Sequence, residues 1–209
     1  MRKGSADRGR ASGRLLRKIN MALRKIYKDG EPVLRKKSKQ VTKFDARLSQ
    51  LIDDMIETLK NANGIGLAAV QVGILKRVMV IDAGGETGVV ELVNPEISGR
   101  EGVQAYYEGC LSYPGYYGNA GRPESVTVSA YDRNGEAVTY AAKGVYAVAC
   151  CHEADHLDGV MFMNKVIGSL YTLDEIKEMR EKAAANKTEN ESGENASGRD
   201  EIGAIRRIN

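Results

Sequence analysis

Residues 150–159 read Cys150-Cys151-His152-Glu153-Ala154-Asp155-His156-Leu157-Asp158-Gly159, and they hold both histidines of the 209-residue chain. On a helix of 3.6 residues per turn, positions four apart lie about 40° apart in projection, so both imidazoles reach one divalent ion from the same face. Glu153 follows the first histidine and projects beside that ion, placed to take a proton from activated water. Two unrelated histidines falling four apart is the plain alternative, and the absence of any other histidine argues against it. Working outward, Val145 to Leu157 is predicted to be the helix that carries the pair, interrupted by Gly159.

Two ligands seldom complete a catalytic centre. Zinc hydrolases commonly use three protein ligands and leave a position for water. The position six residues after His156, where one zinc-protease pattern has its third histidine, is Phe162. A glutamate from a following helix, Glu175 or Glu178, is one candidate for the third ligand, and a thiolate is the other. Cys151 is turned roughly 100° from His152 and Cys150 about 200°, so neither joins the same ion from this helix. Cys110, in Glu108-Gly109-Cys110-Leu111-Ser112, stays open beside the two glutamates.

A third stretch, Gly64-Ile65-Gly66-Leu67-Ala68-Ala69-Val70-Gln71, has two glycines followed by small side chains, the composition of a backbone that passes close to something. With G-x-G-L-A-A-x-Q, E-G-C-L-S and H-E-x-D-H-L present in that order, the chain resembles the peptide deformylases, from about Met21 to about Tyr171. The resemblance implies metal-dependent hydrolysis of the N-formyl group from the N-terminal formyl-methionine of nascent polypeptides, releasing formate. It implies Cys110, His152 and His156 as metal ligands and Glu153 as the proton shuttle. It also implies Gln71 and the backbone N–H of Leu111 on the formyl oxygen, with Ile65 and Gly66 along the substrate chain. Fe(II) is the expected physiological ion, with Zn(II), Ni(II) or Co(II) accepted by the same ligands. The family type with a C-terminal helix matches best and brings an expected weak ribosome contact through that helix. Cys151 departs from the family, which usually has Gln there, and a local packing change is expected. Asp155 is expected in an ion pair, while Glu108 and Arg122 either shape the site or are solvated loop charges.

Composition narrows the remaining classes. Hydrophobic residues make up 42% of the chain, ordinary for a globular protein, and no apolar run is long enough to span a membrane. Seven basic residues in 1–20 stand against Asp7 alone, a balance of +6 that leaves −3 for the rest of a chain whose net charge is +3. A mildly acidic folded part gives no basis for DNA binding. Three cysteines, two of them adjacent, favour a reducing compartment, and a bacterial cytoplasmic location and a monomer are expected. Import into an organelle through residues 1–20 is the alternative location.

Element signals give an α+β fold: short antiparallel sheets around a central metal-binding helix, with a C-terminal helix. Asp45 is placed to cap a helix whose Leu48, Leu51, Ile52, Met55, Ile56 and Leu59 form one apolar stripe that Gly64 ends. Strands are predicted over 77–82, 88–93, 125–131 and 137–141, the last two joined across Asn134-Gly135. Thr172-Leu173-Asp174-Glu175 is a capping-box pattern. The expected organisation is a disordered basic extension over 1–20, a hydrolase domain over 21–171, a helix over 172–186 and a disordered tail over 187–209.

Overall fold

The computed structural model describes residues 22–82, 84 and 87–191. The basic extension and the tail beyond 191 lie outside the described residues.

Helix α1, Ala46–Asn61, begins where Asp45 takes the N–H groups of Arg47 and Leu48 on its carboxylate, both at 3.0 Å. Its end differs in detail from expectation: Asn63, at φ 53°, is the left-handed residue, and Gly64 donates its N–H to Leu59 O at 3.1 Å. Asparagine tolerates that conformation better than most side chains. The predicted apolar stripe faces inward, with Leu48, Leu51, Ile52, Met55 and Leu59 buried.

One sheet has the order β1 (Gly66–Ala68), β2 (Val78–Asp82), β3 (Val89–Glu101), β6 (Ser125–Tyr131), β7 (Ala137–Lys143), antiparallel throughout. Strand β2 shows why the sheet is central. Val78 and Val80 pack with α1, while Met79 and Ile81 pack with the helix on the other face, so the run Val-Met-Val-Ile is apolar at every position. That other helix is α2, Val145–Leu157, and it spans the residues predicted for it. It has no solvent face over its middle: Ala147 through Glu153 are all buried, as are His156 and Leu157.

The second sheet, β4 (Tyr107–Cys110), β5 (Tyr113–Asn119) and β8 (Tyr171–Thr172), was not foreseen as strands. Its register slips between Gly109 and Cys110, so that Cys110 pairs with Tyr113 across a two-residue corner, Leu111-Ser112. A strap from the N-terminal segment lies across this corner: Tyr27 N–H donates to Gln71 O and Asp29 N–H to Ser112 O, both at 2.8 Å. The strap turns sharply at Gly30, φ 94°, where Glu31 N–H returns to Lys28 O.

Helix α3, Leu173–Glu191, opens with the expected capping box: Thr172 N–H donates to Glu175 Oε2 at 2.6 Å and Glu175 N–H to Thr172 Oγ1 at 3.3 Å. It runs five residues past 186, where the sequence reading ended it and began the disordered tail. Lys187-Thr188-Glu189-Asn190-Glu191 contains neither glycine nor proline, and the first glycine is Gly193. Among the described residues, no helix is long and apolar enough to cross a membrane.

Candidate metal centre

Strand parity explains how β4 serves the site. Glu108 and Cys110 are two apart and project to the same side, while Gly109 between them faces the Tyr117 ring, which a Cβ there would approach to 2.8 Å. Across from β4, α2 presents His152 and His156. Among the described residues, Cys110, His152 and His156 form the group able to hold a metal ion: one ligand atom from each, all buried, lies within 4.8 Å of the others. Cys110 Sγ is 3.2 Å from His156 Nε2. The rings of His152 and His156 stand edge to face at 4.9 Å.

His152 is fixed from behind, whereas His156 Nδ1 is buried with no hydrogen-bond partner. His152 bonds through Nδ1 to Glu108 Oε2 at 2.6 Å, leaving Nε2 buried with no protein partner. That orientation is the one a metal-binding histidine takes when a carboxylate holds its other nitrogen. Arg122 grips Glu108 through two bonds, of 2.8 and 3.1 Å, and reaches Asp155 at 2.6 Å; Lys165 completes the chain on Asp155 at 2.6 Å. Burial alone would raise the Glu108 pKa, but the hydrogen bond and charge from His152, with those of Arg122, hold it below the ordinary value. Glu108 and Arg122 are therefore a buried pair behind the ligands and not solvated loop charges. Their signal lay in the i, i+2 spacing of Glu108 and Cys110, which is readable only once residues 107–110 are known to be a strand.

The thiol of Cys110 is pushed well up by burial and then by the Glu153 charge, against the backbone N–H groups of Ser112 and Tyr113, which donate to it. Burial, followed by the charges of His152, Arg122 and Arg35, pushes His156 well below its ordinary value and keeps it neutral. A soft thiolate and two neutral imidazoles suit a divalent transition metal, and the partnerless Nε2 of His152 is the kind of buried atom such an ion satisfies.

Glu153 is fully buried, and neither carboxylate oxygen has a hydrogen-bond partner. Ala68 N–H, the backbone donor beside it, is bound to Gln71 Oε1 at 2.8 Å. Desolvation, reinforced by the Glu108 charge, raises the Glu153 pKa well above the ordinary 4.5. Gly66 makes room for this carboxylate: a Cβ at Gly66 would stand 2.6 Å from Glu153 Oε1 and 2.8 Å from its Cγ. Gln71, in the short 3-10 turn Ala69–Val72, is buried with Nε2 3.3 Å from Ser112 Oγ and 3.9 Å from Cys110 Sγ. Ile65 is partly buried at the lip of β1, its carbonyl taken by Asp82 N–H at 2.7 Å.

The other residues weighed as ligands lie elsewhere. Glu175 is occupied at the N-terminus of α3, and Glu178 is exposed and faces Lys182 at 3.8 Å. Cys150 is in the core, and Cys151 lines a surface cleft on the far side of α2 with Arg100, Arg122 and Asp155.

The raised pKa of Glu153 bears on stability without metal. A folded pKa above the unfolded one contributes stability that is complete below the unfolded pKa and lost as pH rises through the folded one. His156 has the reverse sign below its ordinary 6.5, so comparison with a variant isolates the carboxyl. Starting near the ordinary value of 4.5, the melting temperature of metal-free Glu153→Gln is expected to gain on that of the metal-free parent as pH rises. A gap that stays constant over this range would show that Glu153 does not hold its proton in the fold.

Comparison with known proteins agrees with this geometry. The family described as polypeptide deformylase matches residues 23–170. A peptide deformylase of Acetivibrio thermocellus is 51% identical over 173 residues, covering 83% of this chain and all of that protein. The crystal structure of a peptide deformylase from Thermotoga maritima superposes with a TM-score of 0.67 at 39% identity, covering 70% of this chain and 99% of that one. A Met-Ala-Ser-bound peptide deformylase structure from Acinetobacter baumannii gives a TM-score of 0.65 at 34% identity, covering 68% and 99% of the two chains.

Proposed function

The chain belongs to the polypeptide deformylase family, a family of metal-dependent hydrolases that remove the N-formyl group from the N-terminal methionine of nascent peptides; on that premise we propose which of its residues carry the reaction. Cys110, His152 and His156 hold the divalent ion, and Glu153 moves the proton. The observation that carries this reading is the convergence of three buried ligand atoms beside a buried carboxylate with no partner of its own.

A divalent ion supplies the Lewis acidity that polarises a carbonyl oxygen and makes water nucleophilic near neutrality. Glu153 accepts the proton of the attacking water on a carboxylate oxygen and returns it to the departing amine nitrogen. Its raised pKa suits that exchange, since a general base works best when its pKa lies near the working pH. Gln71 Nε2 and the N–H of Leu111 donate to the formyl oxygen as charge builds on it, a contribution typically of about 3 kcal/mol for one such donor. Because Gln71 Oε1 is tied to Ala68, its amide is oriented before substrate arrives.

The topology supports an extended peptide as substrate. Strands β1 and β4 are edge strands of their respective sheets, and both lie beside the site. A peptide chain recognises such an edge through main-chain hydrogen bonds. Ile65 and Gly66 on β1 are the proposed contacts, and the Met-Ala-Ser complex of the Acinetobacter baumannii enzyme supports a short N-terminal methionyl peptide as the occupant. Fe(II) is the proposed physiological ion, with Zn(II), Ni(II) or Co(II) as functional substitutes.

A bacterial cytoplasmic location, a monomeric state and a weak ribosome contact through α3 belong to the same proposal. In support of the last, α3 buries Ile176 and leaves Asp174, Lys177 and Glu178 exposed. The hydrolase unit is proposed as residues 21–171, which the family match nearly spans.

Metal-replete protein is expected to release formate from formyl-Met-Ala, and to do so again after chelation followed by return of one ion per chain. Cleavage of an internal peptide bond with no formate released would defeat the assignment.

A further inference from the structure

Three consecutive residues of the N-terminal strap donate to the segments that carry Gln71 and Leu111. Tyr27 N–H bonds to Gln71 O at 2.8 Å, Lys28 Nζ to Leu111 O at 2.6 Å and Asp29 N–H to Ser112 O at 2.8 Å. Gln71 and Leu111 otherwise belong to different parts of the fold. Gln71 is in the turn after β1, in the five-stranded sheet, and Leu111 is at the corner between β4 and β5, in the three-stranded one. We propose that the strap Tyr27-Lys28-Asp29 is the frame that sets the spacing of the two formyl-oxygen donors, with Lys28 as the positioning residue on the Leu111 side.

The strap is seated at both ends. Gly73, at φ 81°, closes the turn that holds Gln71, and a Cβ there would stand 2.7 Å from Tyr27 Cε2, so the Tyr27 ring takes that space. The same ring packs against the cluster of Leu34, Cys110, Met161 and Phe162. At the other end the turn through Gly30 returns Glu31 N–H to Lys28 O at 3.1 Å. Between the donors, Gln71 Nε2 reaches Ser112 Oγ at 3.3 Å, so the clasp on Ser112 bears on both of them. Donors that meet developing charge act by being in place beforehand, and a displacement of about 1 Å can cost about 10²-fold in rate. The Lys28 bond is charge-assisted and is the one clasp of the three made by a side chain, so substitution removes it and leaves the other two. A role confined to stability fits it poorly, since Lys28 is exposed and a surface contact of this kind contributes little to folding.

The inference rests on Gln71 and Leu111 being the formyl-oxygen donors, and the test keeps the two apart. Lys28→Met is expected to lower kcat for formyl-Met-Ala about tenfold at parental metal content and melting temperature, with Lys28→Arg restoring it. A Cβ at Gly30 meets nothing within 4 Å, so Gly30→Ala strains only the backbone of the strap, at φ 94°, and should lower kcat as well. Affinity for Met-Ala-Ser, which lacks the formyl group, should stay parental in all three variants. In zinc-loaded protein, the amide signals of Leu111 and of the Gln71 side chain are expected to shift in Lys28→Met and return in Lys28→Arg, while that of Val148 in α2 stays in place. Parental kcat in Gln71→Leu would overturn the donor assignment itself. A slowed Gln71→Leu beside Lys28→Met and Gly30→Ala of parental kcat would overturn the strap alone. So would a loss of Met-Ala-Ser affinity matching the loss of kcat, the mark of a general loosening of the site.

Discussion

Glu153→Gln is expected to fold, to hold its metal at the parental stoichiometry and to lose about 10²- to 10⁴-fold in turnover, the range for removing a positioned acid or base. The side chain is isosteric and keeps the space that Gly66 provides, so packing around β1 should persist. What disappears is, among the described residues beside the three ligands, the carboxylate placed to take a proton from water and hand it to nitrogen. Because the carboxylate has no hydrogen-bond partner, its replacement breaks no bond in the fold. Formate release measured beside metal content on the same sample decides the matter. Parental stoichiometry with parental turnover would remove Glu153 from the chemistry, and loss of metal would make it a ligand.

Cys110→Ala, by contrast, is expected to lose both metal and activity, while Cys150→Ala and Cys151→Ala keep both. With Cys110 gone, two imidazoles remain, and no other sulfur can replace it: Cys150 lies in the core and Cys151 faces the cleft behind α2. Loss of even a residue that only orients a ligand typically costs about 10- to 100-fold in metal affinity, so loss of a ligand should cost more. Cys150→Ala opens a small void in the core and should lower stability by about 1 kcal/mol. Metal analysis after exhaustive dialysis, with melting curves of the three variants, separates ligand from packing effects. Full metal retention by Cys110→Ala would point to a third ligand other than the thiolate.

The helix of the site was legible because its chemistry and periodicity coincide. His152 and His156 mark one face, and the ends at Val145 and Leu157 agree with the structure. The first helix was equally plain from its cap and stripe, and β2 from a run of apolar residues bounded by polar ones. The second sheet was not legible: Tyr113-Pro114-Gly115-Tyr116-Tyr117-Gly118-Asn119 carries two glycines and a proline, which read as loop. It forms a strand because pairing partners on both sides, β4 and β8, outweigh local preference. With that strand missed, the shared direction of Glu108 and Cys110 could not be read, and Glu108 stayed ambiguous. Gly66 had a clear signal but an incomplete explanation, since the Glu153 carboxylate that fills its missing side chain comes from a residue 87 positions later.

The enclosure of α2 ties the chemistry to the thermodynamics of the whole molecule. A helix buried continuously from Ala147 through Glu153 resists fraying there, so those amides should exchange with solvent mainly when the domain unfolds. An ion held by two of its side chains and by a strand of the other sheet then stabilises the folded chain by mass action, since it binds the folded state and not the unfolded one. Metal occupancy and thermal stability are then linked, and filling the centre should raise the protection of backbone amides far from it, throughout both sheets.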